Sequence, residues 1–176
     1  PQEEWPAPVQ KVFLAMNMED IVDPMREDSE WVKLKDIPKD MRNAIIAIED
    51  HEFYEHGAIS PESILRAMLV NIIDGEISQG GSTLTQQFVK NTFLTHEQTM
   101  ERKIEEAILS VVLESKYSKD EILEMYLNST YFGAGATGIH QASKVYFGRH
   151  VSRLTLAEAA VLAALPYAPS ALCPLD

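Results

Sequence analysis

Cysteine is almost absent: Cys173 stands alone in 176 residues, so no disulfide closes within the chain and the redox compartment is left open. Positive charge is also scarce. Lys and Arg number 15 against 27 Asp and Glu, a formal net charge of −12, which argues against the clustered basic footprint of a nucleic-acid-binding chain. No apolar run reaches the roughly 18 residues that a membrane-spanning helix requires, and the start carries no signal-peptide pattern. The abrupt opening at Pro1 reads as the edge of a fragment, with any anchor or partner domain expected outside it. Internal repeats and low-complexity tracts are missing too. Gly80-Gly81 is not a phosphate loop, because the spacing to Lys90 is wrong and no strand precedes it.

What the chain does have is length enough for one real core and a strong helical pattern. Residues 1–37 carry scattered prolines and short β-branched or aromatic stretches, Lys11–Leu14 and Trp31–Leu34, which predict extended connections and at most a small hairpin. From Pro38 the pattern turns helical, with Ala44, Ile45, Ile46 and Ile48 running into Glu49-Asp50. A second, strongly apolar helix is predicted from Ser60 to Asp74. Capping boxes then announce further helices at Thr95/Gln98, Ser118/Glu121 and Thr155/Glu158. The first of these carries Ile104, Ile108, Val111 and Val112 at helical spacing. Glycine is densest in Gly133–Gly138, where it permits positive φ or close backbone approach. The chain is expected to be mainly α, with an N-terminal segment over 1–37 and one domain over 38–176.

Several polar residues sit where a core helix would not want them: Glu49-Asp50, Phe53 and His56 nearby, Ser82–Gln87, Lys90-Asn91, and Arg102-Lys103 with Glu106. Singly, each has an ordinary reading as a solvated helix end, a cap, or a surface ion pair worth about 0.2–0.5 kcal/mol. Together they form a series. Glu49-Asp50-His51-Glu52-Phe53-Tyr54-Glu55-His56 is followed by Gly80-Gly81-Ser82-Thr83-Leu84-Thr85-Gln86-Gln87-Phe88-Val89-Lys90-Asn91. Then come Arg102-Lys103-Ile104-Glu105-Glu106, Ile122–Asn128, and Gly138-Ile139 through Tyr146-Phe147-Gly148.

In this order these segments resemble glycosyltransferase family 51, the peptidoglycan glycosyltransferases of class A penicillin-binding proteins and monofunctional transglycosylases. The likeness covers about Ile45 to Pro169 and departs mildly after His56, where Ala58 and Ser60 replace the family's usual glycine and aspartate.

The resemblance implies a lysozyme-like helical lobe with a smaller membrane-facing lobe, and a bacterial enzyme of cell-wall synthesis. Its substrates would be lipid II, a disaccharide-peptide on a polyprenyl pyrophosphate, and the growing lipid-linked glycan, joined with inversion into β-1,4 strands. Its place would be the outer face of the cytoplasmic membrane, with a transpeptidase domain expected in a longer protein. It assigns catalytic roles to Glu49, as base, and to Glu106. Lys90, Arg102 and Lys103 would meet the pyrophosphate charge, while Asp50, Phe53, His56, Gly81, Ser82, Thr83, Gln86, Gln87, Asn91, Asn128 and Tyr131 would shape or contact the substrate site. No cofactor is obligatory; Glu49, Asp50 and Glu106 are hard oxygen ligands suited to magnesium or manganese, but no dedicated ligand spacing accompanies them. Two rival readings remain, a lytic glycan hydrolase that uses Glu49 as an acid, and a non-catalytic module that binds the lipid precursor.

Overall fold

A computed structural model describes residues 13–61, 81–94 and 99–167. The helix expected over 60–74 beyond Pro61, the Gly80 end of the glycine pair, the Thr95/Gln98 box and Cys173 all lie outside the described residues.

Within them the chain is helical, and the only strand-like pairing is an isolated bridge between Tyr131 and Thr137. The helices are α1 (Glu19–Arg26), α2 (Lys39–Glu49), α3 (Leu84–Phe93), α4 (Met100–Lys116), α5 (Lys119–Ser129), α6 (Ile139–Phe147) and α7 (Leu156–Ala164). Helix α2 packs on α7, and α3 packs on both α4 and α5. Their buried faces form one core with Met41 and Ile45 from α2, Leu84 and Phe88 from α3, and Ile122, Leu123 and Tyr126 from α5.

The predicted N-terminal hairpin is replaced by helix. Residues 13–16 form a helical turn, α1 follows, and Leu34–Asp36 is a 3-10 turn. The apolar residues here serve burial rather than a strand: Met18, Val22, Val32, Leu34 and Ile37 enter the main core, and Trp31 packs against it. Residues 31–34 are extended only briefly because α5 holds them. Glu124 accepts from Trp31 Nε1 (2.9 Å) and from the Leu34 amide (2.7 Å), and Asn128 makes a two-way bond with the Val32 backbone (2.8 and 2.9 Å).

The capping boxes at Ser118/Glu121 and Thr155/Glu158 form as expected. Helix α4 is capped instead by Thr99, which accepts from the Arg102 amide. Its orientation also differs from the simple apolar pattern: Glu106, Leu109, Ser110 and Leu113 are buried, while Ile104, Ile108 and Val111 are exposed. The face carrying Glu106 is drawn inward with its cationic partners, and the branched residues are left on the other side.

The 133–138 loop takes the positive φ that its glycines allow, at Gly133, Ala134, Gly135 and Gly138. Gly138 has a further constraint, because a Cβ built there would lie 2.6 Å from the Asn128 carbonyl oxygen. Its φ of 85° and ψ of 147° fall in a region that only glycine occupies readily. Gly138→Ala is therefore expected to cost about 2 kcal/mol or more in urea unfolding. Gly135→Ala, also at positive φ but with open space around it, should cost clearly less.

Candidate active site

Glu49 closes the buried stripe of α2. Met41 and Ile45 face the core, and Glu49 follows at the same four-residue step, so the apolar face of the helix carries a carboxylate inward at its last turn. Burial pushes its pKa up; the hydrogen bond from Gln87 and the charge of Lys90 pull it down, and the neighbouring Asp50 raises it. Gln87 Nε2 donates to Oε2 at 2.9 Å. The other oxygen, Oε1, is buried and accepts no hydrogen bond. A buried acceptor left open is costly in an ordinary core and signals a place meant for an incoming donor.

The end of α2 is tied to the start of α3 through Asp50. Its Oδ2 accepts from the Leu84 amide (3.0 Å), and its Oδ1 accepts from His56 Nε2 (2.6 Å). Helix α3 is further fixed by a capping box at Thr83 and Gln86, and Thr83 Oγ1 donates to the Ala58 carbonyl (2.8 Å). The sequence Thr83-Leu84-Thr85-Gln86 has the spacing of a capping box and could have been read as one. Thr83 and Gln86 are thus buried and internally bonded. Helix α3 then presents Gln87 to Glu49. Lys90, one turn further, makes no hydrogen bond or ion pair among the described residues, and Asn91 is exposed.

A cation cluster lies at the N-terminal end of α3. Glu106 is almost wholly buried; Arg102 Nη1 donates to its Oε2 at 3.0 Å and Lys103 Nζ to its Oε1. Lys103 Nζ also donates to Ser82 Oγ at 2.9 Å, next to Gly81. The carboxylate holds two cations that would otherwise repel, and it leaves the group net positive in a strongly acidic chain.

The remaining expected site residues divide. His56 joins the site only through Asp50. Phe53 is fully buried beneath Lys119, whose Nζ sits 4.5 Å from the ring centroid, so it belongs to the core. Asn128 is committed to Val32, and Tyr131, half-exposed, accepts from the Gly135 amide. One contributor was missed: the buried Tyr126 donates its hydroxyl to Gln87 Oε1 at 3.3 Å and so fixes which way the Gln87 amide points. In the sequence it reads as one more apolar position of α5, and nothing local distinguishes it.

A divalent cation does not fit Glu49, Asp50 and Glu106 as they stand. Both oxygens of Asp50 and both of Glu106 are already bonded to donors, which leaves a single free carboxylate oxygen, Glu49 Oε1. Among the described residues no group of three or more acidic, histidine or cysteine side chains converges.

The transglycosylase family model matches residues 15–176. Penicillin-binding protein 1F of Bacillus subtilis is 48% identical over 159 residues, covering 90% of this chain and 22% of that protein. Penicillin-binding protein 1A of Aquifex aeolicus is 51% identical over 140 residues, 80% of this chain and 19% of that protein. For penicillin-binding protein 1A of Escherichia coli the identity is 50% over 144 residues, 82% and 17%. The chain spans about a fifth of the length of these relatives. With a family model over nearly its whole length and relatives at this identity, the chain belongs to the transglycosylase family.

Proposed function

We propose that this chain is a peptidoglycan glycosyltransferase, with the following mechanism. Glu49, ionised, takes the proton from the acceptor's sugar hydroxyl as that oxygen attacks the anomeric carbon of the lipid-linked glycan donor. The bond from that carbon to the pyrophosphate oxygen breaks on the opposite face, so the configuration inverts, and the polyprenyl pyrophosphate leaves with the bonding electrons. Arg102 and Lys103, held by Glu106, meet the charge that grows on it, with Lys90 as a further cation and Ser82 as a neutral donor. Asp50, His56, Thr83, Gln86 and Tyr126 act behind these groups by fixing α3 and the Gln87 amide. The substrate proposed is lipid II, and the chain is read as part of a longer protein at the outer face of the bacterial cytoplasmic membrane, with a transpeptidase domain beside it.

One observation carries this reading: Glu49, partly buried, is gripped through Oε2, while its Oε1 is buried and waits without a donor. No described residue favours the hydrolase or the binding module.

The test is to incubate the chain with lipid II in detergent and resolve the products on a glycan gel. A polymer ladder is expected, and Glu49→Gln should lower its rate by about a hundredfold or more. Absence of polymer from the unaltered chain under conditions where lipid II binds would reject the assignment. The variant should keep its fold at pH 7. The raised pKa means that ionised Glu49 disfavours the folded state above that pKa, so removing the charge is not expected to lower the unfolding midpoint.

The pH profile supplies a second check. Activity requires the ionised base, so it should rise with pH through the elevated pKa of Glu49. Gln87→Ala removes the hydrogen bond that holds this pKa down, and the acidic limb of kcat/KM should move to higher pH. An unchanged limb would mean that another group controls it.

A further inference from the structure

The joint between α2 and α3, where Asp50 accepts from the Leu84 amide, has a second support that the chemistry above does not use. Thr85, the next residue of α3, is fully buried, and its Oγ1 donates to Glu114 Oε1 at 2.6 Å. At the second position of the helix its hydroxyl has no carbonyl of α3 four residues behind it, so it turns to Glu114, in the last turn of α4. Lys119 Nζ, from the first turn of α5, donates to that same carboxylate oxygen at 2.7 Å. Lys119 is itself seated on Phe53, 4.5 Å from the ring centroid, and Asp120 accepts from the Tyr54 hydroxyl at 2.8 Å. Phe53 and Tyr54 belong to the loop that runs from Asp50 to His56.

Exposed ion pairs commonly contribute little, because each partner swings freely into water. Here the side chains of Lys119 and Glu114 are only 19% and 15% exposed. The ammonium is held by a carboxylate and an aromatic face at once, and it aims Glu114 Oε1 at a hydroxyl inside the core. The first turn of α5 therefore braces both sides of the joint, the loop through Phe53 and Tyr54 and α3 through Glu114 and Thr85. Gln87 stands two residues beyond Thr85, so the direction in which α3 leaves the joint sets its 2.9 Å contact with Glu49.

We propose that Glu114 and Lys119 are positioning residues for glycosyl transfer: together they lock Thr85, and with it the first turn of α3, in the placement that keeps the Gln87 amide on Glu49. The role in transfer rests on the glycosyltransferase reading, while the hold on the joint is measurable without substrate.

Two variants release the brace. Thr85→Val removes the hydroxyl without changing charge, and Lys119→Met removes the cation while leaving an apolar chain on Phe53. In each, deuterium exchange of the Leu84 amide, followed by NMR in the substrate-free chain, should speed up by more than that of Leu162 in α7, which reports overall unfolding. With lipid II, kcat should fall by up to about a hundredfold with little change in KM. The acidic limb of kcat/KM should move to higher pH, as in Gln87→Ala, because the hydrogen bond that lowers the Glu49 pKa is loosened. Lys119→Arg, which keeps the ion pair and the ring contact, should behave as the unaltered chain. Lys116→Met, which breaks the 2.6 Å pair with Glu19 on the same helix, should alter none of these readouts. Combining Thr85→Val with Lys119→Met should move the limb no further than Thr85→Val alone, since both act along one path. An unchanged Leu84 amide, an unmoved limb, or an equal effect from Lys116→Met would each overturn the proposal. Faster Leu84 exchange in both variants, in a chain that makes no polymer, would uphold the hold on the joint and reject the glycosyltransferase reading.

Discussion

The active site depends first on the bond between Asp50 and the amide of Leu84. It joins the last turn of α2 to the first turn of α3, so the helix bearing Glu49 and the helix bearing Gln87 cannot shift independently. A carboxylate at a helix N-terminus is favoured both by the open backbone donor and by the helix dipole. With its second oxygen Asp50 holds His56, which draws the loop after α2 against the same junction. The 2.9 Å contact between Gln87 and Glu49 follows from that arrangement. Tyr126, donating from the core to Gln87 Oε1, leaves the amide only one useful orientation, with its NH₂ toward the carboxylate.

The parts legible in the sequence were those written locally. Helix starts at Ser118 and Thr155 are encoded within four residues, and the structure forms both boxes. Glu49 was legible as an acid at the end of an apolar helix. Its burial follows from the step Met41, Ile45, Glu49, whereas its bond to Gln87 joins residues 38 positions apart and no local pattern encodes it. The cation cluster was legible in part, because Arg102, Lys103 and Glu106 share one stretch of helix.

What could not be read was decided over long range. Trp31–Leu34 has strand composition but is held by Glu124 and Asn128, more than 85 residues away, in a clasp that makes a neighbouring strand unnecessary. In α4 the apolar periodicity pointed to Ile104 and Ile108, yet the buried face is the one bearing Glu106. A buried carboxylate with two cationic partners outweighs a modest gain in apolar burial, because one left without them would bear a large desolvation penalty. The resemblance places Thr83, Gln86 and Asn128 among residues that shape or contact the substrate site, but the bonds of the Thr83 hydroxyl, of Gln86 Oε1 and of the Asn128 amide go to backbone. Short polar side chains serve either purpose, and only the fold shows which is taken up.

The raised pKa of Glu49 does not by itself distinguish a base from an acid, since a buried glutamate of elevated pKa suits either role. Two other features separate them. An acid needs its proton aimed at a leaving oxygen, whereas Glu49 is held as an acceptor: Gln87 donates to Oε2, and Lys90 lies close enough to favour the ionised form. The second feature is at the far end of α3, where Arg102 and Lys103 share one buried carboxylate and keep a net positive charge. A neutral sugar leaving group gains little from such a pair, while a departing pyrophosphate gains most as its charge develops. The cations are held before substrate arrives, so no reorganisation is needed when the bond breaks, and the chemistry this supports is transfer from an anionic carrier rather than hydrolysis of a finished chain.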